Sequence, residues 1–144
     1  VRSEGEYETE TIAKMNLDTV PVAVVGSVSC GPLTFAEENI EEYIKLPTSL
    51  LGHGKFFILR AHGQSMIGAG IEDGDLVVVR QQETAEPGQV IVALVDDEVT
   101  LKRFFPEPEN NCIRLHPENK RMKDIIVDSC QIQGIAVKVL KDVV

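Results

Sequence analysis

The sequence is short of cysteine, histidine, positive charge and long apolar runs, and each shortage excludes a class of function. Its three cysteines, Cys30, Cys112 and Cys130, are odd in number and lack Cys-x-x-Cys spacing. A disulfide framework or a zinc site is therefore not expected, and a reducing cytoplasm is the simplest setting. The three histidines, His53, His62 and His116, are scattered without paired ligand spacing, so neither a metal nor another cofactor is expected. Lys and Arg total 14 against 23 Asp and Glu, a formal charge of −9. Such a chain is a poor phosphate binder, because non-specific DNA affinity comes mainly from Lys and Arg displacing counterions. The apolar runs are too short for a signal peptide or a membrane span. The sequence opens on Val1 rather than Met and reads as a piece of something longer. Any DNA-binding surface is then expected upstream of it.

What is present fits one domain. The chain has 144 residues, 43% of them hydrophobic, enough for a real core. Residues 1–19 are polar, acidic and aperiodic, which reads as a linker or tail. Residues 20–144 are organised differently. Strand-like segments recur there: PVAVV, KFFILRA, DLVVVR, QVIVALV, EVTLKRFF, CIRLHP, DIIVD and QIQGIAVKVL. Turn-formers separate several of them, at Glu72-Asp73-Gly74-Asp75, Glu86-Pro87-Gly88 and Asp96-Asp97. This spacing predicts a compact, mostly β domain of twisted sheet with one or two short helical turns. The acidic run TFAEENIEEY reads as helix-like, with capping-box spacing from Thr34 to Glu37. Residues 47–52 read as one further turn, ended by Gly52.

Two residues raise a chemical question. Ser65 follows Gly63-Gln64 just beyond the apolar KFFIL segment. An ordinary turn serine explains it equally well. The motif is not the Gly-x-Ser-x-Gly of a nucleophile elbow. A histidine triad is disfavoured, since His62 is too close in sequence and His116 has no obvious orienting acid. Lys102 lies in EVTLKRFF, where alternation puts Thr100, Lys102 and Phe104 on one side and Val99, Leu101, Arg103 and Phe105 on the other. A surface lysine guarding an edge strand is the bland alternative.

A serine hydroxyl needs a base, and lysine serves only when neutral. At its ordinary pKa roughly 0.04% of lysine is neutral at pH 7; about two units lower, roughly 4% is, at about 2.7 kcal/mol of differential interaction. Burial against apolar groups achieves such a shift.

The segment VGSVSCGPL at 25–33, Gly63-Gln64-Ser65-Met66, Gly70-Ile71-Glu72-Asp73-Gly74-Asp75-Leu76, Gly88-Gln89-Val90-Ile91-Val92-Ala93, Asp97-Glu98-Val99-Thr100-Leu101-Lys102-Arg103, His116-Pro117-Glu118-Asn119 and Gly134-Ile135-Ala136-Val137 occur in that order. Together they resemble the C-terminal domain of LexA-type repressors and the related UmuD-type proteins, which are self-cleaving Ser/Lys peptidases. The resemblance runs from about residue 20 to 140. It implies a LexA/signal-peptidase-like β fold, with Ser65 as nucleophile, Lys102 as general base and backbone N–H groups at Gln64 and Ser65 as oxyanion donors. The bond cut would be the chain's own Cys30–Gly31, which makes Cys30 substrate rather than nucleophile. LexA proteins commonly cut after Ala, whereas UmuD-type proteins and many phage repressors have Cys there. A homodimer, often formed through a C-terminal strand such as 135–140, is implied, as is stimulation by a RecA–single-stranded-DNA filament in the SOS response to DNA damage. Operator DNA would be reached only through a missing N-terminal domain. Three other readings stand beside this one: a UmuD-type accessory protein of a translesion polymerase, a dimerisation module with a dead site, and a trans-acting peptidase, which the lack of a membrane anchor disfavours.

Overall fold

The computed structural model describes residues 18–26 and 39–143. Nine strands lie among them: β1 (Thr19–Val25), β2 (Ile40–Pro47), β3 (Phe56–Arg60), β4 (Leu76–Gln81), β5 (Val90–Val95), β6 (Glu98–Glu107), β7 (Cys112–His116), β8 (Ile125–Val127) and β9 (Gln131–Leu140). They form one sheet in the order β2-β1-β3-β4-β9-β5-β6-β7-β8. All neighbours run antiparallel except β1 and β3, which share a short parallel contact. The mostly β expectation holds.

Alternation along the strands builds apolar clusters on both faces. On β3, Phe57 and Leu59 join a cluster with Met66, Ile71, Val77, Val79 and Val92. The intervening Ile58 instead joins Val22, Val24, Leu46, Leu51 and Val78. A third cluster gathers Ile91, Ala93, Phe104, Leu115 and Ile135. Among the described residues no long helix covers either face. Each fully buried Val, Ile or Phe contributes about 1.5–3 kcal/mol.

The turns fall where turn-formers stand. Asp96 and Asp97 both adopt positive φ, 47° and 62°, and Val95 pairs with Glu98 across them. This two-residue hairpin matches the twist of the flanking strands. It fixes a register in which Lys102 sits opposite the fully buried Ile91. The expected turn after Pro47 is a single helical turn, α1 (Thr48–Leu51), followed by Gly52. Two short 3-10 turns, Ile67–Ala69 and Pro108–Asn110, were not expected.

One expectation is corrected. The helix-like run is strand from Ile40 onward, as β2; residues 34–37, with the proposed cap, lie outside the described residues. β2 is an edge strand. Its exposed Glu41, Glu42 and Lys45 discourage pairing with another chain. Pairing passes from Val24–Glu42 to Val25–Ile40 and leaves Glu41 bulged out. The extra residue breaks strict alternation, and Ile40, Tyr43 and Ile44 then fall at helical spacing.

Candidate active site

Ser65 stands in the segment that links β3 to β4. Beyond the end of β3, the Ala61 N–H donates to the Asp75 carbonyl and the Gly74 N–H donates to the Ala61 carbonyl, which ties both ends of that segment together. Gly63 turns the chain with φ at 79°, and its N–H donates to Asp73 Oδ1 at 2.7 Å. Met66 and Ile71, both buried, anchor the segment in the core. Ser65, between Gly63 and Met66, is left half-buried.

Lys102 comes from the middle of β6. It shares a face with Thr100 and Phe104, which leaves no surface role for it: its relative exposure is 8%, and among the described residues it is the one charged or polar residue classed as buried. Lys102 Nζ lies 3.3 Å from Ser65 Oγ and 2.7 Å from Thr100 Oγ1, donating to both hydroxyl oxygens. Among the described residues no carboxylate forms an ion pair with it. Burial therefore acts unopposed, and it holds the Lys102 pKa below the ordinary lysine value. Ser65 and Lys102 line a cavity of about 140 Å³, walled by Leu59, Ala61, Met66, Ile71, Val99 and Leu101.

This arrangement has clear chemical capacity. A neutral amine has two N–H groups and one lone pair. One N–H can remain on Thr100 Oγ1 while the lone pair accepts the Ser65 hydroxyl proton. The resulting alkoxide would face a cavity of mixed lining, in which Arg60, His62 and Thr100 stand beside the apolar side chains. Among the described residues, the N–H groups of Gln64 and Ser65 have no hydrogen-bond partner, so both are available to a ligand oxygen.

The other sequence candidates fall elsewhere. Cys30 and Gly31 lie outside the described residues. His62 lines the same cavity but makes no hydrogen bond to Ser65 among the described residues. The expectation that His116 lacks an orienting acid is corrected: its Nδ1 lies 2.6 Å from Asp124 Oδ1. That pair belongs to a network with Arg114 and Glu107 on β6 and β7, and Ser65 is not part of it. Cys112 and Cys130 are free thiols; burial pushes both thiol pKa values up, away from reactivity. No group of three or more potential metal ligands occurs among the described residues, and no described helix is long and apolar enough to cross a membrane.

Sequence reasoning named several supporting residues without giving them a role. Thr100, placed on the face of Lys102 by alternation, could have been assigned its contact from that spacing. Glu118 and Asn119 could not: the Gly68 N–H donates to the Glu118 carbonyl, and Asn119 Nδ2 donates to the Gln64 carbonyl across 55 positions of chain. No local pattern announces such a contact.

The family model for the Peptidase S24-like proteins matches residues 23–137. The chain is 47% identical to a LexA repressor of Alkaliphilus oremlandii over 88% of its own length and 60% of the relative's. It is 45% identical to that of Caldicellulosiruptor saccharolyticus, over 86% and 60%. It is 48% identical to that of Halalkalibacterium halodurans, over 85% and 58%. The chain thus spans about 60% of the length of these curated relatives. Those matches cover Ser65, Lys102 and the cavity between them, and the chain belongs to the Peptidase S24-like family.

Proposed function

We propose that this chain is the self-cleaving part of a LexA-type repressor, and that Ser65 attacks the chain's own Cys30–Gly31 bond with Lys102 as general base. The observation that carries this reading is the buried lysine 3.3 Å from the serine hydroxyl, with no carboxylate partner. Lys102 takes the Ser65 proton as Oγ adds to the Cys30 carbonyl carbon. The N–H groups of Gln64 and Ser65 hold the oxyanion. The proton then passes from Lys102 to the leaving Gly31 amine, and water later releases the acyl group from Ser65. Cys30 is substrate, so Cys30→Ala should still be cut.

Cleavage is intramolecular, and a tethered bond is at high effective concentration. Two brakes are available: any Lys102 that is protonated cannot act as the base, and the scissile bond must reach Ser65 before it can be cut. A partner that favours the docked loop shifts this balance, and about 5.5 kcal/mol of differential binding takes it from 1:99 to 99:1. We assign that role to a RecA filament on single-stranded DNA. We assign operator binding to a domain upstream of this chain; the linker expected over residues 1–19 would end before Thr19, which opens β1. A homodimer is expected through the C-terminal strand. Because β9 is paired on both sides, by β4 and β5, such a contact would use its face or the residues after it. The names of the relatives favour the repressor over the polymerase accessory role.

The test is to incubate the purified chain at alkaline pH and weigh the fragments. One cut after Cys30, at a rate independent of protein concentration, is expected. A chain that stays whole both there and with activated RecA filament, or that is cut elsewhere, would sink the reading.

A further inference from the structure

We infer that Asn119 is a positioning residue that aims the Ser65 N–H into the oxyanion site by holding the Gln64 carbonyl. This rests on the reading of Ser65 as the nucleophile.

The peptide joining Gln64 to Ser65 is planar and trans. Its C=O and its N–H therefore point in opposite directions. Fixing the Gln64 carbonyl thus fixes the Ser65 N–H, and a flip of this plane would offer an oxyanion a carbonyl oxygen instead of a proton. Asn119 Nδ2 donates to that carbonyl at 2.8 Å. The Ile67 N–H approaches the same oxygen at only 3.5 Å, too long to hold it well. The orientation of the Asn119 amide is itself determined. Its Oδ1 accepts the Arg121 N–H at 2.9 Å, so the donor end must face Gln64.

Asn119 is in turn held from two sides. The Gly68 N–H donates to the neighbouring Glu118 carbonyl at 2.7 Å. A Cβ at Gly68 would lie 2.7 Å from that oxygen, so the approach admits only glycine. The Glu118 carboxylate pairs with Arg103 Nε, and Arg103 Nη1 donates to the Gly88 carbonyl at 2.8 Å. Arg103 directly follows Lys102 on β6 and points the other way. Residues 118–119 therefore clamp the chain on both sides of Ser65, and the clamp is fastened to the strand that supplies the lysine. The base and the oxyanion donors are kept in register by one continuous brace.

Asn119→Asp is the sharpest variant. It keeps an acceptor for the Arg121 N–H and replaces the donor to Gln64 with a carboxylate oxygen, which repels the Gln64 carbonyl. The readout is the self-cleavage rate of the full chain across pH, with the melting temperature measured alongside in a Ser65→Ala background. Loss of one oxyanion donor lowers rate about 10²–10³-fold, and loosening its aim should lower the high-pH plateau by about 10–100-fold. The pH midpoint set by Lys102 should stay in place. A plateau within about threefold of the parent, or a loss that appears only as a moved midpoint, overturns the assignment. Should Asn119→Asp fail to fold, NMR of Ser65→Ala decides: the Asn119 side-chain N–H should be protected from exchange, and free exchange overturns the proposal. Ser65→Ala also separates the two readings. If it still cleaves, the nucleophile assignment falls; if it is inert while Asn119→Asp matches the parent, only the role of Asn119 falls.

Discussion

Lys102 and Lys141 carry the same side chain into opposite environments. Lys141 sits just past β9, at the surface, with Asp75 Oδ2 at 2.6 Å and Glu72 Oε2 at 3.3 Å. The Asp75 hydrogen bond is the main cause that raises its pKa, and Lys141 in turn is the main cause that lowers the Asp75 pKa. Lys102 is buried, meets two hydroxyls and no carboxylate, and burial lowers its pKa. A paired surface lysine is a fixed cation. A buried lysine without an acid pays for its charge and gives up its proton more readily. That difference, more than the residue type, marks one as a candidate base and the other as structural.

The largest effects should come from removing the contrast at its source. Ser65→Ala should abolish cleavage, and Lys102→Ala should slow it by about 10²–10⁴-fold, the usual range for a general base. Both are read by fragment mass over time, and a Lys102→Ala chain cut at the parental rate would refute the base assignment.

Next, Thr100→Asp gives Lys102 what Lys141 already has. A carboxylate at that position should favour the ammonium form and move the pH–rate midpoint upward. Cleavage near neutral pH should slow about tenfold for each unit of that movement, with recovery in alkali. A slowing equal at every pH would show instead that Thr100 matters only for geometry.

A smaller effect concerns stability. A lysine whose folded pKa lies below its unfolded value binds fewer protons folded than unfolded. Its unfavourable contribution is full below the folded pKa, and stability recovers as pH rises toward 10.5, the ordinary value. Lys102→Met, compared with Ser65→Ala so that both chains stay whole, should therefore be more stable near pH 7. The gain should be about 1 kcal/mol, read as about 3–5 °C in a domain of this size. An equal or lower melting temperature would contradict an uncompensated buried charge. Last, Lys141→Ala should leave the cleavage rate unchanged, since its ion-pair partners, Asp75 and Glu72, form no hydrogen bond with Ser65 or Lys102 among the described residues; a slowed rate would undo the comparison.

Much of this was legible in the sequence, and the rest fails for definable reasons. Strands such as DLVVVR and QVIVALV could be read because both faces are buried and the runs are apolar throughout. β2 could not, because its bulge and its edge-guarding glutamates imitate an amphipathic helix. Ser65 and Lys102 were found as a pair through ordered motifs, yet periodicity alone could not say which face of β6 was buried. The answer depends on tertiary packing on both faces of β6, with Val99 and Leu101 packed against one cluster and Phe104 within another. The brace from Arg103 through Asn119 to Gln64 was illegible, since it consists of contacts between segments far apart in sequence.

The central claim is that burial makes Lys102 the base for self-cleavage. The most direct measurement is the first-order cleavage rate of the intact chain as a function of pH. The rate should rise with pH and level off around a midpoint below 10.5, the ordinary lysine value, with one cut after Cys30 at every pH. A midpoint at or above that value, or a profile unchanged in Lys102→Met, would contradict it.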